Sequence, residues 1–160
     1  MPNPDLEKLP RKSLIKMIEN SIGSKTFNSF YVLDKKSGKE LDILEDGGLS
    51  CASFVSGILT IYGLIDHPHA TVKGVIASLT EEYGWRETEK LEPSNVVLWE
   101  EIACGEESNN QHLGFILNEN EAVSNSSLNR EITKHHITYG TESDGTPTRK
   151  IIRIFQNTKI

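Results

Sequence analysis

The chain predicts an α+β fold: N-terminal helices packed on a C-terminal antiparallel β-sheet. Three observations carry this. Up to about Gly84 the apolar residues recur at helical spacing. From Trp85 onward the pattern changes to period two and is rich in β-branched and aromatic residues. No repeat, low-complexity tract or linker divides the 160 residues, a length that suits one domain with a real core.

In order, residues 1–10 hold three of the six prolines and read as a flexible arm, leaving 11–160 as the single domain. A short helix is predicted over 11–22, with Leu14, Ile15 and Ile18 on one face and Gly23 as its stop. A strand follows at 30–33, a polar turn at 34–39 and a second extended stretch at 40–44. After Gly47-Gly48 a helix is predicted from Cys51 to about Tyr62, with Phe54, Val55, Ile58 and Leu59 on its apolar side. A loop at 65–69 leads to a third helix over 71–83, striped by Val72, Val75, Ile76 and Leu79. In the second half, strands are predicted at 96–99, 112–117, 122–126, 132–139 and 150–155. A polar loop is expected at 100–111 and turns at 118–121 and 140–147.

Composition narrows the function classes. A net charge of −6 offers neither the basic face of a nucleic-acid module nor a grip on an anionic membrane. No stretch approaches transmembrane length, and the first residues lack the basic and apolar regions of a signal peptide. The default compartment is reducing cytosol, with Cys51 and Cys104 as free thiols, and export by a signal-independent route stays open. Neither Cys-x-x-Cys nor His-x-x-x-His spacing is present, so no metal site is expected.

The chemistry centres on Gly47-Gly48-Leu49-Ser50-Cys51. Ser50 is placed to cap the helix through its side chain, which puts Cys51 in the first turn at the positive end of the dipole. That position favours thiolate, the nucleophilic form. The plainer alternative is a small apolar residue that starts a core helix. Cys104, amid Glu100, Glu101, Glu106 and Glu107, is the worse nucleophile, because nearby carboxylates disfavour thiolate.

A thiol nucleophile needs a base near it in space and a group that orients the base. Of the five histidines, His67 and His69 flank Pro68 in a loop. His135 and His136 are adjacent and face opposite ways in a strand, so at most one joins a given site. His112 opens an apolar strand, with Gly114 on its own side leaving room for a substrate or a helix. If Leu117 pairs with Ala122, Gly114 faces Asn125, and Asn125 shares the His112 side. Its amide then holds the imidazole. A one-residue bulge would put Ser124 there instead.

These residues carry a resemblance. Gly47-Gly48-Leu49-Ser50-Cys51-Ala52-Ser53-Phe54-Val55, Pro93-Ser94-Asn95-Val96-Val97-Leu98-Trp99, His112-Leu113-Gly114-Phe115-Ile116-Leu117 and Ala122-Val123-Ser124-Asn125-Ser126 follow one order. It resembles that of the NlpC-type and CHAP-type cysteine peptidases, compact papain-like hydrolases of bacteria and phage. The resemblance covers roughly residues 47–127. It departs at Ser50, where many members have Asp, at Ser94-Asn95 in place of Gly-Asp, and at Asn125, where the third group is often a second histidine.

The resemblance implies a papain-like fold and a catalytic set of Cys51, His112 and Asn125. Cys51 attacks an amide carbonyl, His112 serves as general base and then protonates the leaving amine, and a thioester is hydrolysed. Asn125 holds the imidazole tautomer, and the Cys51 N–H is an oxyanion donor. No cofactor is required. The implied substrate is a peptide, or a peptidoglycan-like peptide; no nucleic acid or membrane partner is expected. The altered flanks of Cys51 equally suit a catalytically degenerate papain-like domain that binds a peptide or protein.

Overall fold

The computed structural model describes residues 5–82, 84–103 and 109–160. It is α+β, with three helices and a six-stranded antiparallel sheet. Helix α1 (Pro10–Asn20) begins at a proline, whose missing N–H costs nothing in a first turn. Strands β1 (Tyr31–Asp34) and β2 (Lys39–Asp42) form a separate hairpin. Helices α2 (Cys51–Ile61) and α3 (Val72–Glu81) follow. The main sheet comprises β3 (Trp85–Thr88), β4 (Val96–Ala103), β5 (Asn109–Ile116), β6 (Glu121–Ser126), β7 (Glu131–His136) and β8 (Ile151–Asn157). Their spatial order is β3-β8-β4-β5-β6-β7.

Period-two alternation sorts the strand residues onto two sides. Val96, Leu98, Leu113, Phe115, Val123 and Phe155 pack with Phe54, Val55, Ile58 and Leu59 of α2 and with Leu14, Ile18, Val75 and Leu79. Val97, Trp99, Ile116, Ala122, Ile137 and Ile154 form a second cluster. Phe54 stands edge-on to Phe115, at 5.6 Å between centroids, which fixes α2 across β5.

Pairing between β5 and β6 runs from Ile116↔Ala122 only as far as Gly114↔Ser124. Beyond it, β5 continues beside β4 and β6 beside β7, so the two strands part. The N-terminal end of α2 lies at this opening.

Three expectations are corrected. The 100–111 loop is largely strand: β4 runs on to Ala103 and β5 starts at Asn109, with a register shift between Trp99 and Ile102. Leu117 does not face Ala122. Its N–H donates to the Glu121 carbonyl at 2.9 Å, leaving Asn118, Glu119 and Asn120 as the turn. The Asn118 side chain, accepting from the Asn120 N–H at 2.9 Å, stabilises that shorter turn. Finally, the space beside Gly114 is filled. A Cβ there would lie 2.5 Å from the Val123 carbonyl oxygen and 2.9 Å from both Ser124 Cβ and Trp99 Cη2.

Candidate active site

Cys51 is the first residue of α2 and opens onto a cleft of about 900 Å³ that His112, Ser124, His135, Tyr139 and Arg149 also line. Gly47, at φ +94°, turns the chain into the helix, and a side chain there would collide with Asn28. The cap differs from expectation. Ser50 sits at φ −89°, ψ 2° rather than in the extended conformation of a capping serine, and its hydroxyl makes no cap bond.

The Cys51 sulfur meets backbone N–H groups from two directions. Those of Cys51 and Ala52 reach it from the open first turn of the helix. That of Leu113 reaches it from β5, at the point where β6 has parted. All three favour thiolate, as does the charge of Arg149, yet burial outweighs them and pushes the thiol above its usual value. The magnitudes make that outcome reasonable. A helix terminus is worth about 0.3–1 kcal/mol, less than one pKa unit, whereas burial shifts a group by up to 3–5 units. The thiolate expected from helix position alone is therefore not the resting form.

His112 alternates with Leu113 and Phe115, so it leaves β5 on the side of Trp99 and away from the helical core. Its ring reaches the backbone of Asn125 in the opening between the strands. Burial, then the charges of Arg149 and His135, push its pKa down to about 3, while the Asn125 backbone pulls it back up. At neutral pH the imidazole is uncharged.

Ser124 connects this ring to two others. Its Oγ lies 2.9 Å from His112 Nε2, 2.8 Å from His135 Nε2 and 3.0 Å from the Tyr139 hydroxyl. Proton positions follow from the partners. His135 Nδ1 lies 2.8 Å from the His136 carbonyl oxygen, which only accepts, so Nδ1 carries the hydrogen. Burial lowers the His135 pKa, and the neutral ring presents Nε2 as an acceptor. Ser124 has one hydrogen to share between the two Nε2 atoms. Tyr139 stays protonated, because burial pushes it up to about 12. On His112 the Asn125 carbonyl also claims an N–H, since a backbone group that raises an imidazole's pKa does so by accepting from it.

Aromatic rings wall the cluster. Tyr139 stacks on His135 at 4.0 Å, and Trp99 stands 5.7 Å from His112 with its indole N–H on the Ile137 carbonyl at 2.7 Å. Arg149, 8% exposed, donates from Nε to the Glu100 carbonyl and from Nη2 to the Asn110 carbonyl, each at 3.0 Å. It thus bridges β4 and β5 across their register shift, with its guanidinium carbon 5.6 Å from the Tyr139 ring.

Of the residues expected from the sequence, Cys51 and His112 open onto one cleft. Asn125 is corrected. The shorter hairpin turn moves the register by one residue, so Ser124 stands on the Gly114 and His112 side. The Asn125 amide instead donates to the Gly47 carbonyl at 2.8 Å, tying β6 to the loop before Cys51. His135 joins the cluster, while His136 turns to Thr138, as the opposite facing of adjacent strand residues requires. His69 is half-buried, with Nε2 2.8 Å from the Ser78 hydroxyl. Cys104 lies outside the described residues. Among the described residues, no group of three or more His, Cys, Asp or Glu is placed to hold a metal ion, and no helix is long and apolar enough to cross a membrane. Tyr139 and Arg149 were not anticipated, since each is a single residue in or beside a turn.

Compared with known proteins, the chain matches no family model, no curated protein and no solved structure.

Proposed function

We propose that this protein is a papain-like cysteine hydrolase that cleaves an amide through Cys51 and His112, with Ser124 in the place first assigned to Asn125. One observation carries the reading. The thiol at the start of α2 and His112 line one cleft where β5 and β6 part, and His112 Nε2 lies 2.9 Å from the Ser124 hydroxyl.

The resting pair is a neutral thiol and a neutral imidazole, so the proton moves as the thiol attacks. Cys51 Sγ bonds to the substrate carbonyl carbon, and its proton passes to the His112 ring. The Cys51 N–H at the helix start, released from the sulfur as the C–S bond forms, faces the oxygen that gains charge. Collapse breaks the C–N bond, and the ring proton leaves with the amine. Water then adds to the thioester, giving a proton to the ring that returns to the departing sulfur, and releasing the acid and the thiol. A peptide of the cell-wall type fits this chemistry on the strength of the resemblance.

An activated ester tests the reading without knowledge of the natural amide. p-Nitrophenyl acetate should release nitrophenolate in a burst, with an acetyl adduct mapped by mass spectrometry to Cys51 that decays on incubation. His112→Ala should slow both steps. If the adduct never forms, or forms equally fast in that variant, the hydrolytic reading fails.

A second reading has an observation of its own. Burial raises the thiol, and burial together with Arg149 lowers the imidazole, both opposed to a reactive ion pair. A papain-like domain that only binds a peptide in this cleft would show that electrostatics and no adduct.

A further inference from the structure

We propose that Arg149 is the receptor for a carboxylate on the ligand of this cleft, so that its substrates are amides bearing a free carboxylate close to the reacting carbonyl; this rests on the reading of Cys51 as the reacting group. Arg149 as a whole is 8% exposed and lines the cleft wall. Two of its five N–H donors are spent on the Glu100 and Asn110 carbonyls. Tyr139 shares one further contact with it. No carboxylate lies within ion-pair distance of it among the described residues. A buried cation without an opposite charge is costly, and a cleft that holds one favours an anion from outside.

The position selects what the anion belongs to. Arg149 and Cys51 line the same cleft, together with His112, His135 and Tyr139. A molecule in that cleft whose anion rests on Arg149 is placed to present another of its groups to the thiol. The surroundings select its charge. Glu45 and Glu101 also line the cleft, and the chain is acidic overall. One guanidinium among those carboxylates suits a monoanion and opposes a doubly charged phosphate. The planar fork of the guanidinium matches a carboxylate.

Occupancy would also prepare the reaction. Burial first, and the charge of Arg149 second, hold His112 uncharged, and an imidazole so strongly depressed is a weak acceptor for the thiol proton. A carboxylate that neutralises Arg149 removes the second of these and makes His112 a better acceptor, while burial still holds it down.

Paired alkylating reagents test this, since iodoacetate and iodoacetamide differ chiefly in carrying a carboxylate. In a Cys104→Ser background, the iodoacetate-to-iodoacetamide rate ratio at Cys51 should exceed that of N-acetylcysteine by roughly tenfold, the worth of one charge-assisted bond. Arg149→Gln should bring the ratio down to that of N-acetylcysteine, and Arg149→Lys should keep part of the preference. Propionate, followed through the Arg149 Nε–H resonance, gives a readout that needs no thiol chemistry: a saturable shift is expected in the wild type. A ratio equal to that of the free thiol, with no saturable propionate shift, overturns the receptor even if Cys51 is reactive. A propionate shift with Cys51 inert in every assay supports the receptor and removes the hydrolytic reading. The unfolding temperatures of both Arg149 variants show whether each remains folded.

Discussion

His112 Nε2 lies 2.9 Å from Ser124 Oγ, and the same hydroxyl lies 2.8 Å from His135 Nε2. One hydroxyl thus ties two imidazoles together. Ser124→Ala deletes that link and leaves polar atoms unpaired on two half-buried rings. The expected cost is about 1–3 kcal/mol in urea-induced unfolding. Acylation of Cys51 should slow by roughly tenfold or more as the imidazole loses that anchor. Ser124→Thr keeps the hydroxyl and should recover most of the rate. Asn125→Ala should cost stability through the loop at Gly47, while the pH profile of acylation keeps its shape.

The thiol should titrate above an ordinary cysteine in the ligand-free protein. Burial is the largest influence on Cys51 and raises it, against opposition from Leu113, Ala52 and Arg149. Thiolate absorbance near 240 nm, followed against pH in a Cys104→Ser background, measures this directly. Arg149→Gln removes a nearby positive charge, so the groups it depresses move upward, among them Cys51, further above its usual value, and His112, up from about 3 while burial still holds it low. A plateau of thiolate below pH 6 would instead establish a preformed ion pair and displace the neutral-pair mechanism.

The helix with Cys51 at its start, the strand of His112 and the order of helices before sheet were legible because each rests on periodicity within a few residues. The third site residue was not, because it depends on whether a turn has three residues or four. The side chain of Asn118 settles that, and a slip of one position exchanges Asn125 for Ser124. The protonation state of Cys51 is hidden from the sequence for a related reason. Helix position is local and visible in sequence, whereas the burial that outweighs it arises only when distant segments close around the cleft. Arg149 and Tyr139 carry no local pattern at all; only the folding of a turn beside β4 and β5 gives them neighbours.

Gly114 is where the site depends most on the absence of a side chain. A methyl group would meet the Val123 carbonyl at 2.5 Å, and neither that backbone nor the buried Trp99 has space to retreat. Gly114→Ala should cost about 1–3 kcal/mol, as overpacking does elsewhere. It should also push Ser124 away from His112, because the same methyl group presses on Ser124 Cβ. Unfolding measures the first effect. A drop in Cys51 acylation larger than the folded fraction explains measures the second.

Acid should destabilise the fold earlier than its carboxylates alone would allow. His112 has its pKa lowered to about 3 in the native state, and His69 and His135 are lowered too, all from an ordinary value of 6.5. Between those limits the unfolded chain binds protons that the native chain refuses, so stability rises with pH there. The contribution is complete above pH 6.5 and is lost as pH falls towards 3. The lowered carboxylates, such as Asp34 and Glu121, start from 3.8 and 4.5 and act only at more acid pH. The interval from pH 7 to 5 therefore isolates the histidines. His112 alone accounts there for a loss of up to about 2 kcal/mol. Urea unfolding of the wild type should weaken across this interval, and His112→Gln should weaken by less, although its stability at pH 7 is lower. Parallel curves for the two proteins would mean that His112 takes up its proton as readily folded as unfolded. The neutral resting ring on which the proposed proton transfer depends would then be wrong.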